Sequence, residues 1–372
     1  MKSIYYLLLC LIFAQVLLGN VVEIYKKGEI KLIPEASFGK ATEWDLLFTD
    51  TDKSIAFLAD ESFFRTASKG NKIYKFDASG KLEFSFGQAG QGPGDITNPN
   101  EISILDEKKL VVKERGNLRR ISIFELDGNF TKLIRVDNFI NSCIAVGNGM
   151  IGIVSTYQGP SGKDTMRKYD VYLKNVHSGK EVRLKSFERK NIQSRVQTPD
   201  LYGNVFILKI GLNNILVAFS ESQEVNIFSD KGELVSKFNV DRNRRKINDK
   251  FFNHYLERVI DSQRSEREKT KLKQFIESNS DKISHPDYLP FYHKIAVDNE
   301  DNILIYLKNW EDASDVQFLV YSKTGDYLCK TKLNCLEYRP VYPTVFFENH
   351  IYTKLIPIDE NKPSFLAKAK LK

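Results

Sequence analysis

Short runs in which apolar and polar residues alternate fill most of the chain beyond residue 20. The clearest is a hairpin pattern: an alternating strand, a turn that ends in glycine, and a second alternating strand. Ile73-Tyr74-Lys75-Phe76 turns at Ser79-Gly80 into Leu82 to Phe86. Ile121 to Phe124 turns at Asp127-Gly128, Tyr169 to Val176 at Ser178-Gly179, Val225 to Phe228 at Lys231-Gly232, and Phe318 to Tyr321 at Thr324-Gly325. Strict alternation marks half-buried strands, and a glycine near the end of the turn permits the positive φ such hairpins need.

Two further strand-like runs precede each hairpin. Examples are 101–104 with 109–112, 205–210 with 215–219, and 294–297 with 302–307. For the first hairpin they are read as 44–48 and 55–58, and for the third as 140–146 and 150–155. The unit is a four-stranded antiparallel meander of about 40 residues, the period of a propeller blade. A sixth unit runs through 344–347, 350–355 and 364–371 and lacks a fourth strand. Residues 30–38, near the N-terminus, are expected to supply it, hiding two open sheet edges. The expected fold is all-β: a six-bladed β-propeller over residues 21–372, with a helical insertion, 241–291, between blades 4 and 5.

The run FGQAGQGPGD, then NPNEISIL, then VVKERGNLRRISIFELDG (residues 86–128) resembles NHL-type repeats. It is most similar to exported bacterial six-bladed propellers that share a G-x-G-P-G-[ED] loop after the first blade. Glu114 stands where the NHL pattern carries Asp, with Gly116-Asn117 and Arg119-Arg120 following. The resemblance implies the fold and is silent on reaction, because propellers host many unrelated functions. The glycine-rich stretch is not a P-loop: no Lys-Ser/Thr follows, and the next element is a strand. Its glycines are read as setting the geometry between blades.

In a meander, the links from fourth to first strand share one end of the blade with the second-to-third turns. The long connections all fall there: 61–71, 87–99, 157–168, 186–203, 241–291 and 308–315. Within the longest, Asn248 is a helix cap, and Phe251, Phe252, Tyr255, Leu256, Val259 and Ile260 follow at helical spacing. A second helix is expected through 269–279.

The first 20 residues change the compartment. Lys2 precedes an apolar stretch from Ile4 to Leu18, broken only by Gln15, and Gly19 is a small residue near a cleavage point. That length suits a signal peptide better than a membrane span. An uncleaved anchor is the other reading. The mature protein is expected to be extracytoplasmic, periplasmic or secreted, with no integral span. Cys329 and Cys335 either pair or stay as thiols, and no Cys/His spacing fits zinc. Net charge is +7, and residues 241–282 carry 12 Lys/Arg against 8 Asp/Glu. The bases are interspersed with acids, which argues against a nucleic-acid face.

No catalytic constellation is recognisable. There is no HxH, HExxH or GxSxG, and the carboxylates Asp50/Asp52 and Asp298/Glu300/Asp301 do not follow an EF-hand spacing. What remains is a set of basic, aromatic and histidine residues in or beside the long connections: Arg65, Lys113, Arg115, Tyr157, Arg195, His293 and Trp310. Converging arginine and aromatic groups suit an anionic or carbohydrate ligand or a protein hot spot. The expected function is binding of a small molecule, glycan or envelope protein, without a cofactor. The rival is a hydrolase or lyase on a sugar-derived or lactone substrate, with a divalent metal at the channel mouth.

Overall fold

The computed structural model describes residues 21–35, 38, 54–67, 70–114, 119–157, 166–190, 201–261, 263, 265–280, 283, 285–310, 316–334, 338–347, 350–357 and 365–371. In chain order, helix α1 (Val21–Lys26) leads to β1 (Glu29–Pro34), β2 (Ile55–Phe57), β3 (Phe63–Ala67), β4 (Lys72–Phe76) and β5 (Leu82–Phe86). There follow β6 (Pro99–Leu105), β7 (Lys109–Glu114), β8 (Arg120–Glu125), β9 (Phe130–Arg135), β10 (Phe139–Gly147), β11 (Met150–Tyr157), β12 (Met166–Asn175) and β13 (Glu181–Lys190). The strands β14 (Val205–Ile210), β15 (Asn214–Phe219), β16 (Glu224–Ser229) and β17 (Leu234–Asn239) precede helices α2 (Asp249–Asp261) and α3 (Glu266–Ser278). The chain continues through β18 (Lys294–Val297), β19 (Ile303–Lys308), β20 (Val316–Tyr321), β21 (Tyr327–Asn334), β22 (Tyr338–Phe347), β23 (His350–Pro357) and β24 (Phe365–Leu371).

These elements form two compact units, residues 87–294 and residues up to 86 together with 295–372. The unit 87–294 holds three four-stranded sheets, β6–β9, β10–β13 and β14–β17, each in chain order and antiparallel. The first strands lie side by side, with β10 touching both β6 and β14. Second strands are buried almost throughout, as β7 and β15 show, whereas the outer strand β17 is mostly exposed. Apolar side chains fill the space between sheets. Val111, Ile121 and Ile123 pack with Cys143, Ile151 and Ile153, and Val154, Val171 and Leu173 pack with Ile207, Ile215 and Val217.

Between β17 and β18 stand the two helices. Asn248 caps α2 by accepting the Phe251 N–H at 2.9 Å, and Ser265 caps α3 by accepting that of Glu268. The base is a short antiparallel clamp: the Ile247 N–H donates to the Asp287 carbonyl, and the Leu289 N–H donates to that of Arg245. Helix α2 buries Phe252 and Leu256, while α3 buries no side chain.

The other unit contains the sheet β2–β5 and an eight-stranded sheet, ordered β18-β19-β20-β21-β1-β24-β23-β22. Strand β1 therefore supplies a fourth strand beside β24, Leu32 opposite Leu371, as the alternation near the N-terminus predicts. It also pairs parallel to β21, Ile30 opposite Leu333, which the pattern does not announce. Helix α1 docks through Val21 and Tyr25, whose hydroxyl donates to Asp298 Oδ2 at 2.9 Å.

The first sheet corrects one expectation. Phe63–Ala67, read as part of a long turn, is the fully buried strand β3, and β2 (Ile55–Phe57) is the strand that opens this sheet. A run such as FFRTA has β-forming residues but no alternation, because both of its faces are covered. The expected strand 44–48 lies outside the described residues.

Five hairpins join third to fourth strands, four with one geometry and the one at Gly179 a residue longer. In each, the N–H of the glycine returns to the carbonyl of the residue opening the turn: Gly80 to Asp77, Gly128 to Glu125, Gly179 to Asn175, Gly232 to Ser229 and Gly325 to Ser322. Those glycines have φ between 74 and 95°. In the four shorter turns a register shift follows at once, the signature of a type I turn closed by a bulge, whereas in the Gly179 hairpin the shift lies further along, at Val171/Tyr172.

Candidate functional site

The opposite end of each sheet carries the second-to-third and fourth-to-first connections. In the unit 87–294, buried polar side chains gather there: Asn100, Lys113, Glu114, Arg120, Thr156 and Ser220. They sit at strand termini, where alternation runs out and backbone groups need partners.

The best-defined element is a clasp on the glycine-rich loop. Glu114 ends β7 and Arg120 begins β8, next to the Lys113–Ile121 pair, so the ladder brings the two side chains together. Arg120 Nε and Nη2 donate to the two Glu114 oxygens at 2.7 and 2.8 Å, and both side chains are buried. Arg120 Nη2 also donates to the Gly90 carbonyl at 2.9 Å, and Glu114 accepts the Thr97 N–H at 2.6 Å. Within the loop, Asp95 accepts from Gln88 Nε2 and from the Gly92 N–H. Those bonds hold the Asp95 carboxyl below the usual carboxylate range. Gly90 has to be glycine, since a Cβ there would stand 2.1 Å from Asp95 Oδ2. The loop's polar groups are thus consumed internally, in keeping with a structural joint.

A second cluster links neighbouring sheets. Glu101 on β6 accepts from Lys113 Nζ at 3.1 Å, from Ser142 Oγ at 2.9 Å and from the Cys143 N–H at 2.8 Å. Lys113 also donates to the Asn141 carbonyl at 2.8 Å. Burial, reinforced by the Glu101 charge, pushes the Cys143 thiol well up, leaving it protonated and inert.

The third cluster lies between the sheets β10–β13 and β14–β17. The Arg189 guanidinium lies over the rings of Tyr202 and Tyr169, 5.0 and 5.8 Å from their centroids. Its Nη1 donates to the Gly203 carbonyl at 2.9 Å, and the Gly203 N–H donates to Glu221 at 2.8 Å. Nearby, Arg242 and Arg244 donate to the carbonyls of Phe291, Leu289 and Tyr288, fastening the base of the helical pair.

The sequence-selected residues fall in different settings. Arg65 is buried within β3 rather than on a loop. Lys113 is buried in the Glu101 cluster. Tyr157 ends β11 and is exposed. His293 immediately precedes β18 and is half-buried. Trp310 follows β19, with Lys308 Nζ 4.1 Å from its ring centroid. Arg115 and Arg195 lie outside the described residues. Of these seven, Lys113 stands in the buried polar clusters of the unit 87–294. Sequence reading passed over Arg189, Tyr202 and Glu101; the available signal was their position at strand ends flanking long connections. Among the described residues, no group of His, Cys, Asp or Glu is arranged to hold a metal ion.

The architecture is that of an all-β propeller. A family model described as a 6-bladed beta-propeller matches residues 42–190. Two crystal structures share the fold across nearly the whole chain. One is a Bacteroides fragilis protein assigned as exported, 13% identical, covering 92% of this chain and 95% of its own, with a TM-score of 0.55. The other is a member of the duf4221 family from Bacteroides vulgatus, 12% identical, covering 93% of this chain and 99% of its own, with a TM-score of 0.51. At such identities the likeness concerns fold alone. Protein brain tumor of Drosophila melanogaster is 24% identical over 103 residues, which are 27% of this chain and 10% of that protein. No helix among the described residues is long and apolar enough to cross a membrane.

Proposed function

We propose that this protein is an exported, extracytoplasmic six-bladed β-propeller of NHL-like repeat. Its role is to bind a small molecule, glycan or envelope protein through the loop-bearing ends of its blades. The count takes the eight-stranded sheet as two blades and the helical pair as an insertion between blades 4 and 5. The observation that carries the reading is the contrast within the unit 87–294. Its buried polar side chains gather at the loop-bearing end, while the opposite ends close in glycine turns whose own backbone bonds recur from sheet to sheet. Preorganised polar groups beside long connections are the usual setting of recognition on rigid scaffolds.

The test is a glycan array and a small-molecule thermal-shift panel run on the parent protein and two variants, K113M at the loop-bearing end and S229A at a hairpin. Binding weakened by K113M, which unties the Asn141 carbonyl at the loop-bearing end, and untouched by S229A is the expected result. Binding that responds only to S229A sinks the reading. Conversion of a bound compound to product transfers it to the hydrolase or lyase alternative.

A further inference from the structure

In the ladder between β12 and β13, Arg167 stands directly opposite Arg189, and Tyr169 opposite Phe187. Residues paired across an antiparallel ladder share a face, and so do residues two apart. Arg167, Arg189, Tyr169 and Phe187 therefore stand on one face of their sheet. It is the face turned to β14–β17, since Tyr169 and Phe187 both touch the ring of Phe219, at 6.3 and 5.3 Å. Like charges placed opposite one another destabilise a ladder. Another pair of facing arginines, Arg120 and Arg135, has the acid Glu114 on Arg120, and further bases in these ladders have acids as well. Lys75 has Glu83, Lys174 has Glu181 and Arg183 has Asp170. Among the described residues, neither Arg167 nor Arg189 has a carboxylate partner. Glu221 accepts the Gly203 N–H and forms no ion pair with either arginine.

Arg189 is also incompletely satisfied. Nη1 is spent on the Gly203 carbonyl, while Nε is buried with no hydrogen-bond partner. A buried donor left unmet costs about 1–3 kcal/mol. The arginine is nonetheless held in place, over Tyr202 and Tyr169. The arrangement is a fixed guanidinium with a donor unmet, a second arginine opposite it in the ladder, and aromatic rings beneath. Among the described residues it lacks an anion. Guanidinium donors in the Nε–Nη2 fork match the two oxygens of a carboxylate bidentately.

We propose that Arg189 and Arg167, with Tyr169 and Tyr202, form a binding site for a carboxylate-bearing ligand between the sheets β10–β13 and β14–β17. The inference rests on the binding function proposed above and names its place and chemistry. The carboxylate has two sources, the uronate of an acidic glycan or a free polycarboxylate, and the probes separate them.

The experiment is titration calorimetry of the full protein with tri-galacturonate, neutral galactotriose and citrate, on the parent, R189Q and R167Q. Because Arg189 also holds the Gly203 carbonyl, R189Q alone would confuse lost binding with a disturbed fold. The Arg167 side chain makes no hydrogen bond among the described residues, so R167Q keeps the test clean, and without ligand it should melt no lower than the parent. The expected result is tri-galacturonate binding at least tenfold tighter than galactotriose, weakened at least tenfold by each substitution. Citrate binding as tightly, with the same sensitivity, assigns the site to free polycarboxylates and equally supports it. Equal affinity for the acidic and neutral trisaccharides overturns the proposal, as does full affinity in R167Q. So does the absence of carboxylate binding at millimolar concentration. In that last case, ligands found by the array leave the broader binding function standing, and an empty array removes both.

Discussion

The two ends of these sheets solve the same problem differently. At the hairpin end, each turn satisfies itself within five or six residues, using its own Asp, Asn or Ser and one glycine. Neighbouring sheets touch there too, as Lys132 donates to the Val176 carbonyl and the Gly149 N–H to Asp106, but the bonds that close the glycine turns are internal, so that solution repeats. At the loop-bearing end of the unit 87–294, partners come from elsewhere: Arg120 serves Gly90, Lys113 serves Asn141, Arg189 serves Gly203. Those bonds differ from sheet to sheet. A local solution can be copied, whereas a non-local one has to be made once for each place, and that is the end free to acquire specificity.

The comparison predicts unequal costs. Removing one partner of the Glu114–Arg120 pair leaves the other charge buried. Urea unfolding of E114Q or R120M should show a loss of about 3–5 kcal/mol. The joint replacement E114L/R120M should lose much less than either single variant, and a D77A hairpin variant costing as much as E114Q would break the comparison. K113M, which frees only one arm of the Glu101 cluster, should cost about 2 kcal/mol in the same assay.

Glycine substitutions sharpen the contrast within the hairpin end itself. At Gly179 an added Cβ meets nothing within 4 Å, so only its positive φ of 74° is at stake, and G179A should cost about 1 kcal/mol. At Gly232 the Cβ would lie 2.4 Å from Val182 Cγ1, on the adjacent sheet. G232A should therefore cost roughly 1 kcal/mol more. Equal midpoints on thermal unfolding would mean that the turn is looser than described.

The smallest effect is a titration. Asp326 and Asp298 sit in hairpins at the same end of one sheet. Hydrogen bonds from Thr324 and Ser322 hold the Asp326 carboxyl below its ordinary value. Burial raises that of Asp298, and the bonds from Asn302 and Tyr25 offset this only in part. Carbon-13 carboxyl NMR should show Asp326 titrating below the usual carboxylate range and Asp298 above it. The signs for stability are opposite. The Asp326 contribution is present above its unfolded pKa and lost as pH falls through its folded value. The Asp298 contribution is present below its unfolded pKa and lost as pH rises through its folded value. A single shared titration would refute the distinction.

Much of the fold was legible because alternation and turn chemistry are short-range. The five glycine-closed hairpins, the Asn248 cap and the strand near residue 30 could each be read from a few adjacent residues. Phe63–Ala67 was missed because a strand covered on both faces loses its alternation. The polar clusters resisted reading for another reason. Glu101 looks like any acid on a half-buried strand until Ser142 and Cys143 arrive from the next sheet. Arg189 likewise becomes conspicuous only once the ladder sets Arg167 opposite it. Lys113 was singled out as a loop-facing base, yet its surroundings are an ion pair and a carbonyl that the sequence does not place beside it.

Strand β1 has a consequence for biogenesis. It precedes both strands that flank it, β21 and β24, and is far from them in sequence. Until β24 emerges, β1 keeps one edge unpaired even after it has paired with β21. Joining ends so far apart is slow, because loop closure must precede any reward from the contact. A chain synthesised from its N-terminus therefore carries this seam open until β24 is made. The vulnerable interval, to proteases or to pairing with another nascent copy, falls before β24 arrives.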